Sequence, residues 1–142
     1  YSLWERCAFE NSDFLILEHD AVFVDHIPNT MMLKHVGTVG KPSYGKFNKP
    51  AHIGWGPLTQ KHYFGGAHAY IVKPSGAWHL MEMAQTNPAP TDVFLNKTNF
   101  PWLREWSHWP VEVKDTFTTI QKTEGCLAKH NYYKETYVIE NV

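Results

Sequence analysis

The order of apolar and polar residues predicts a helix and a strand at the start of the chain. A short helix is predicted from Ser2 to about Glu10, because Ser2 and Glu5 have the spacing of a capping box. Turn-forming residues occupy positions 11–13, and the unbroken apolar run 14–17 predicts a strand buried on both faces. A helix, a tight turn and a buried strand make half of an α/β unit.

A second strand and helix are predicted in the middle of the chain. Residues 67–72 predict a strand, and Pro74 suits the first turn of the helix that follows it. The apolar residues of this helix recur at helical spacing and are Ala77, Leu80, Met81 and Ala84. The two prolines within 87–90 end the helix, and Thr91 is a suitable cap for a short helix beyond them.

The remaining segments have weaker patterns. Residues 25–62 are rich in Gly, Pro, Lys and Asn, and a strand is predicted there only at 31–36. The aromatic stretch 100–110 predicts a loop, and the β-branched alternation over 111–122 predicts one or two strands. Because neither an internal repeat nor a domain boundary is visible, residues 1–142 are expected to form a single α/β domain.

Composition narrows the class of protein. Apolar residues make up 43% and charged residues 19% of the 142 residues, as in a globular domain rather than a disordered chain. The net charge is −1, so no global basic field attracts a nucleic acid backbone. The segment 40–50 holds three lysines among glycine, proline and aromatic residues, and it is interpreted either as a local basic patch or as a solvated loop.

Cysteine usage and the lengths of the apolar runs exclude further classes. Cys7 and Cys126 are the only cysteines and lie far apart, which excludes a disulfide scaffold and a cysteine-based zinc site. No apolar run approaches the ~20 residues that a membrane span needs, and a cytoplasmic location is expected. The chain begins inside a predicted helix without an initiator methionine, so we expect a fragment that lacks its natural start.

Glu18, His19 and Asp20 directly follow the apolar run 14–17 and are the strongest candidates for chemistry. In an open α/β sheet, ligands bind beyond the carboxyl ends of the strands. In an extended chain Glu18 and Asp20 point the same way, and two neighbouring carboxylates repel unless a cation lies between them. A hard divalent ion such as Mg²⁺ or Mn²⁺, bound together with a substrate phosphate, fits this pattern. The alternative is a pair of surface acids that simply end a strand.

Four blocks of the sequence resemble glycosyltransferase family 25, the lipooligosaccharide galactosyltransferase-like enzymes. The block LILEHDAVF, at 15–23, is similar to the family's LILEDDAVF, with His19 where the family usually has Asp. The other three blocks are GGAHAYIVKPSGAWHLME at 65–82, PTDVFL at 90–95 and FTTIQK at 117–122. They occur in the family's order and span most of the chain.

The resemblance implies a GT-A-like α/β fold, with a mixed, mostly parallel sheet flanked by helices and incomplete at the N-terminus. It also implies a nucleotide-sugar donor, most simply a UDP-sugar, a glycan or other hydroxyl acceptor, Mn²⁺ or Mg²⁺ as cofactor, and a role in lipopolysaccharide biosynthesis. By position, Asp20 would ligate the metal, and Glu18 would bind the ribose or a metal-bound water. Asp92 would be the catalytic base, with an ordinary acid in the first turn of a helix as the alternative. His130 lies where many GT-A enzymes place a late histidine on the metal.

Four more residues are candidates for substrate binding. His68 and Tyr70 belong to the predicted strand 67–72, where they could face the ligand edge of the sheet or, alternatively, the core. Trp102 and Trp106 could stack on the sugar rings of an acceptor or pack within their own loop.

Three functions stay open on the sequence. The leading hypothesis is a metal-dependent glycosyltransferase that moves a hexose from a nucleotide sugar to a hydroxyl acceptor. The second is a nonenzymatic relative that binds carbohydrate or a partner, motivated by His19 and by the missing N-terminal unit. The third is a glycosyltransferase acting on modified nucleic acid bases, which the aromatic and lysine residues of 44–64 permit.

Overall fold

The computed structural model describes residues 1–42 and 45–113, which form three helices and seven strands. The helices are α1 (Ser2–Glu10), α2 (Pro74–Thr86) and α3 (Thr91–Phe94). The strands are β1 (Phe14–Leu17), β2 (Ala21–Phe23), β3 (Val36–Thr38), β4 (Trp55–Pro57), β5 (Ala69–Val72), β6 (Arg104–Trp106) and β7 (Val111–Val113). The predictions for His130 and for strand structure beyond β7 lie outside the described residues.

Five of the strands form one mixed sheet in the order β1-β5-β3-β6-β4, and β2 pairs with β7 in a second, antiparallel sheet. Within the described part of the chain, only the β3–β6 pair of the larger sheet is parallel. The predicted α/β content is thus confirmed, whereas the predicted predominance of parallel pairs is wrong. Strand direction depends on which distant segments pair, and a local apolar pattern does not carry that information.

β5 is the strand that is buried on both faces. Tyr70 and Val72 pack into the main core, which α1 and α2 cover, while Ala69 and Ile71 pack into a second apolar cluster on the other face. Its neighbours in the sheet are β1 and β3, so both edges are hydrogen-bonded as well. This central position explains why its sequence is apolar without alternation.

β1 has the predicted bounds but lies at the edge of the sheet. Phe14 and Ile16 pack against the main core, whereas Leu15 and Leu17 are 37% and 40% exposed. The prediction of burial on both faces is therefore wrong for this strand. Its side chains alternate between a covered and an open face, as in a half-buried antiparallel strand.

The helices have the expected positions but not the expected caps. α1 spans the predicted residues, yet its N-cap is Tyr1 rather than Ser2, and it has no side-chain cap hydrogen bond. Its C-cap is Asn11, which adopts the left-handed conformation with φ 53° and is suited to this position. α2 begins with its proline, as predicted, and the N-cap of α3 is Pro90 rather than Thr91.

Two segments differ from their predicted structure. The strand expected at 31–36 begins only at Val36, and the preceding residues connect β2 to β3. The aromatic stretch 100–110, predicted as a loop, contains β6, because its large rings pack on a half-buried pleated surface as well as they pack in a loop. In the part of the chain that the structure describes, no helix is long and apolar enough to cross a membrane.

Candidate functional site

The acidic residues singled out from the sequence lie in the tight turn that joins β1 to β2. The backbone N–H of Ala21 donates to the carbonyl of Glu18 at 3.1 Å, which closes a β-turn over 18–21. The N–H of Glu18 donates to the carbonyl of His68 at 2.9 Å and fastens the turn to the residues before β5. The chain is thus turned rather than extended here, and the geometric reason for expecting Glu18 and Asp20 to point the same way does not hold.

The two carboxylates have different surroundings. Glu18 is exposed, whereas Asp20 is buried at 3% exposure. The Oδ1 atom of Asp20 is shielded from solvent and has no hydrogen-bond partner among the described residues. A buried carboxylate oxygen without a partner is costly, since burial removes the water that would otherwise solvate it. Asp20 therefore has an oxygen available for a cation or a donor group.

The fit of these residues to a divalent ion is partial. Across residues 1–42 and 45–113, no three His, Cys, Asp or Glu side chains are grouped so that they could hold a metal ion together. Mg²⁺ is nevertheless often bound through one or two carboxylates, with water and substrate phosphates completing its shell. Asp20 meets that smaller requirement, and Glu18 lies on the same turn.

Asp92 lies in the first turn of α3 and is half-buried. The residue that follows α3, Leu95, accepts a hydrogen bond at 2.9 Å from the N–H of Phe64. The segment that begins at Phe64 continues into His68, whose carbonyl anchors the β1–β2 turn. Asp92 and the acidic turn are therefore attached to the same stretch of chain, the approach to β5.

His68 and Tyr70 occupy core positions. His68 is 3% exposed and packs so tightly against Gly40 that a Cβ atom there would lie 2.8 Å from its Nε2. The Tyr70 hydroxyl accepts a hydrogen bond from Trp4 Nε1 at 3.1 Å. Burial raises the pKa of Tyr70 to about 12. Of the two positions considered for His68 and Tyr70, the ligand edge of the sheet and the core, the structure places both residues in the core.

Trp102 and Trp106 are half-buried and packed against other rings. The Trp102 centroid lies 4.8 Å from that of His35 and 5.2 Å from that of Phe100. The Trp106 centroid lies 5.2 Å from that of Trp55, across the β4–β6 pair. Packing inside the protein accounts for both indoles, and stacking on an acceptor sugar stays a prediction.

Glu105 is a buried charged residue that the sequence did not single out. It lies on β6 at 0% exposure. Its Oε1 accepts the N–H groups of Thr59 and Gln60 at 2.7 and 2.9 Å, and its Oε2 accepts the Thr59 hydroxyl at 2.5 Å. His52 Nε2 lies 2.9 Å from the same Oε2. The sequence around Glu105 did not predict this buried network, because the groups that Glu105 binds lie about fifty positions earlier in the chain.

The same network reaches an open pocket. Gln60 accepts a hydrogen bond from Trp109 Nε1 at 2.9 Å and lines a pocket of about 480 Å³. This pocket is formed by residues 45–48 and 60–63, so it includes part of the lysine-rich segment noted in the sequence. Neither this pocket nor a second one, between α1 and α2, includes Glu18 or Asp20.

Comparison of the chain with models of known families, with curated proteins and with solved structures finds no match. The resemblance to glycosyltransferase family 25 therefore stays a prediction from the sequence blocks. The metal role expected of His130 also stays a prediction, since that residue lies outside the described ranges.

Proposed function

We propose that this chain is a metal-dependent glycosyltransferase domain of the GT-A type, which transfers a hexose from a nucleotide sugar to a hydroxyl acceptor. One observation carries the proposal: Asp20 is buried in the turn after β1, and its Oδ1 has no partner among the described residues. The resemblance of the four sequence blocks supplies the donor class, and the mixed α/β architecture is compatible with it.

Each residue of the proposed site has a separate role. Asp20 would hold Mn²⁺ or Mg²⁺, and Glu18, on the same turn, would bind the donor ribose or a water of the ion. The ion would neutralise the negative charge that develops on the departing nucleoside diphosphate. Asp92 would accept the proton of the attacking hydroxyl, because transfer to the sugar requires that proton to leave.

The proposal is tested by measuring UDP release from UDP-glucose and UDP-galactose in the presence of Mn²⁺. We expect release by the unaltered protein and none by the variant Asp20→Asn, because the amide carries no charge for the ion. Asp25→Asn is the matched control, since Asp25 is an exposed acid in the segment that follows β2. Equal release by the two variants would contradict the metal role, and glycan binding without any release would favour the nonenzymatic alternative.

The same assay tests Asp92. A positioned general base contributes ~10²–10⁴ in rate, so Asp92→Asn should lose that factor in transfer. UDP binding should be unchanged, because a base acts on the acceptor and not on the donor nucleotide. Unaltered transfer by this variant would remove Asp92 from the mechanism and leave it as an acid in the first turn of α3.

A further inference from the structure

The lysine-containing pocket has the composition of an anion site. None of the described residues that line it is an acid; they are Gly45, Lys46, Phe47, Asn48, Gln60, Lys61, His62 and Tyr63. Its volume of about 480 Å³ lies within the range of small-molecule sites. Two lysines, a histidine and two amides give it several hydrogen-bond donors, so the occupant must supply acceptors.

The amide of Gln60 is oriented so that a donor is left over. Gln60 is 1% exposed, and its Oε1 accepts the indole N–H of Trp109 at 2.9 Å. An indole N–H can only donate, so this contact fixes which end of the amide carries the oxygen. The remaining Nε2 is buried and has no partner among the described residues. Leaving a buried donor unpaired is costly, and a ligand acceptor would remove that cost.

Glu105 holds this part of the pocket in place. Its Oε1 accepts the backbone N–H of Gln60 at 2.9 Å, and the carbonyl of Gln60 accepts the N–H of Asn48 at 2.9 Å. The two segments that form the pocket are thus joined by their backbones at Gln60. A donor that is fixed before binding loses little entropy when a ligand arrives.

Positive charge lies on the walls of the pocket. Lys61 lines the pocket, and its Nζ lies over the ring of Tyr63, 5.2 Å from the centroid. Lys46 is exposed and makes no ion pair among the described residues, whereas Lys41 and Lys73 pair with Glu112 and Asp13. Among the described residues, the lining of the pocket thus holds two lysines and no acid, although the whole chain carries a net charge of −1.

Two aromatic rings give the pocket an apolar side. Phe47 and Tyr63 line it and are 38% and 40% exposed. The Phe47 ring is held edge-to-face against Trp109, with the centroids 5.4 Å apart. Exposed ring faces beside hydrogen-bond donors suit the apolar face and the oxygens of a sugar ring.

We propose that this pocket binds an acidic group, a carboxylate or a phosphate, that is carried on a saccharide. The inference rests on the proposed function and identifies the acceptor as an acidic glycan. The acid would accept hydrogen bonds from Gln60 Nε2 and from the two lysines, while the sugar ring would lie against Phe47 or Tyr63. The segment 60–68 connects the pocket to the acidic turn, since the carbonyl of His68 binds the N–H of Glu18.

The test is a set of NMR titrations of the full chain with glucuronic acid, glucose 6-phosphate and glucose. We expect shifts at the pocket residues with an acidic sugar and none with glucose, and the tighter of the two acids identifies the group. Lys46→Ala should weaken binding about tenfold, as for the loss of a hydrogen bond to a charged group. Lys49→Ala is the control, because Lys49 is exposed in the same segment but does not line the pocket.

A second variant tests the amide. Gln60→Glu keeps an oxygen for Trp109 but replaces the donor by a negative charge, so binding of both acidic sugars should be lost. Equal binding of glucose and of the acids, or an equal effect of the two lysine variants, would overturn the inference. Lys46 is exposed, so Lys46→Ala should fold normally and still tests the inference if Gln60→Glu does not fold.

Binding of the acidic sugar and UDP release can be tested independently of each other. Asp20→Asn should bind the acidic sugar as the unaltered protein does, because Asp20 does not line the pocket. Acid binding that is absent while UDP release is intact would overturn this inference alone. UDP release that is absent while the acidic sugar binds would contradict the transferase proposal and show the pocket to be an independent saccharide site.

Discussion

Glu105 and Asp20 are both buried carboxylates with opposite surroundings. The oxygens of Glu105 accept hydrogen bonds from Thr59 and Gln60 and contact His52, so its charge is compensated within the fold. The Oδ1 of Asp20 has no such partner among the described residues. At the scale of single residues, this contrast separates an acid that stabilises the protein from one that is available to a ligand. The sequence placed Asp20 in a candidate site but gave no sign of Glu105.

The structural role of Glu105 predicts a large loss of stability when its charge is removed. Glu105→Gln removes the charge that strengthens these hydrogen bonds and places a donor where an acceptor faces His52 Nε2 and the Thr59 hydroxyl. We expect the free energy of unfolding to fall by about 2–3 kcal/mol, as when hydrogen bonds to a buried charged group are lost. Urea denaturation measures this change.

Glu112→Gln is the matched control for that variant. Glu112 pairs with Lys41 at 3.7 Å, and both side chains are exposed. Exposed ion pairs contribute only about 0–1 kcal/mol, so the midpoint of unfolding should hardly move. If the two variants unfold at the same urea concentration, the network around Glu105 does not stabilise the fold in the way described.

His35 predicts a dependence of stability on pH. Burial, together with the neighbouring His79 and Lys34, lowers the pKa of His35 below its ordinary value of 6.5. Ser75 donates its hydroxyl proton to the carbonyl of Lys34, so its oxygen accepts the Nδ1–H of neutral His35 at 2.8 Å. Both the neutral and the charged ring can donate this hydrogen bond, so it is burial and the neighbouring groups that make the folded protein favour the neutral form.

The sign of the effect follows from proton binding. Between the lowered pKa of the folded state and 6.5, the unfolded chain binds more protons at His35 than the folded chain does. Stability should therefore fall as the pH falls through this window and be independent of His35 above it. An NMR titration of the His35 ring checks the cause, and a midpoint at or above 6.5 would contradict it.

At the scale of elements, the sequence predicted helices better than it predicted the roles of strands. The bounds of α1 and the proline start of α2 follow from local spacing, which a single segment contains. β1 and β5 have equally apolar sequences, yet β5 is central and β1 is at the edge. That difference arises from pairing with distant strands, so no local pattern could assign it.

The packing of α2 onto the chain before β3 predicts an unusual effect of alanine. Gly76 lies in the first half of α2, where alanine normally stabilises a helix by about 1 kcal/mol. Here a Cβ atom would lie 2.4 Å from the carbonyl oxygen of His35, and that oxygen is backbone and also accepts the N–H of Lys73. Gly76→Ala should therefore lower the melting temperature. Glu82→Ala, on the exposed side of the same helix, is the control, and a gain of stability in Gly76→Ala would show that the contact relaxes.

At the scale of the whole molecule, the segment before β5 links the separate parts of the candidate site along the chain. The approach to β5 is bonded to the acidic turn through His68 and to α3 through Phe64. The four sequence blocks gave the order of these segments along the chain, but they did not predict which segments contact each other. The strand directions and the pocket beside the lysine-rich segment emerged only from pairings between residues that are tens of positions apart.

The central claim is that Asp20 holds a divalent ion together with the diphosphate of a nucleotide sugar. Calorimetric titration of the purified chain with UDP, with and without Mn²⁺, tests it most directly. The account predicts binding that requires Mn²⁺, is lost in Asp20→Asn and is retained in Asp25→Asn. UDP binding that is indifferent to Mn²⁺, or that survives in Asp20→Asn, would contradict it.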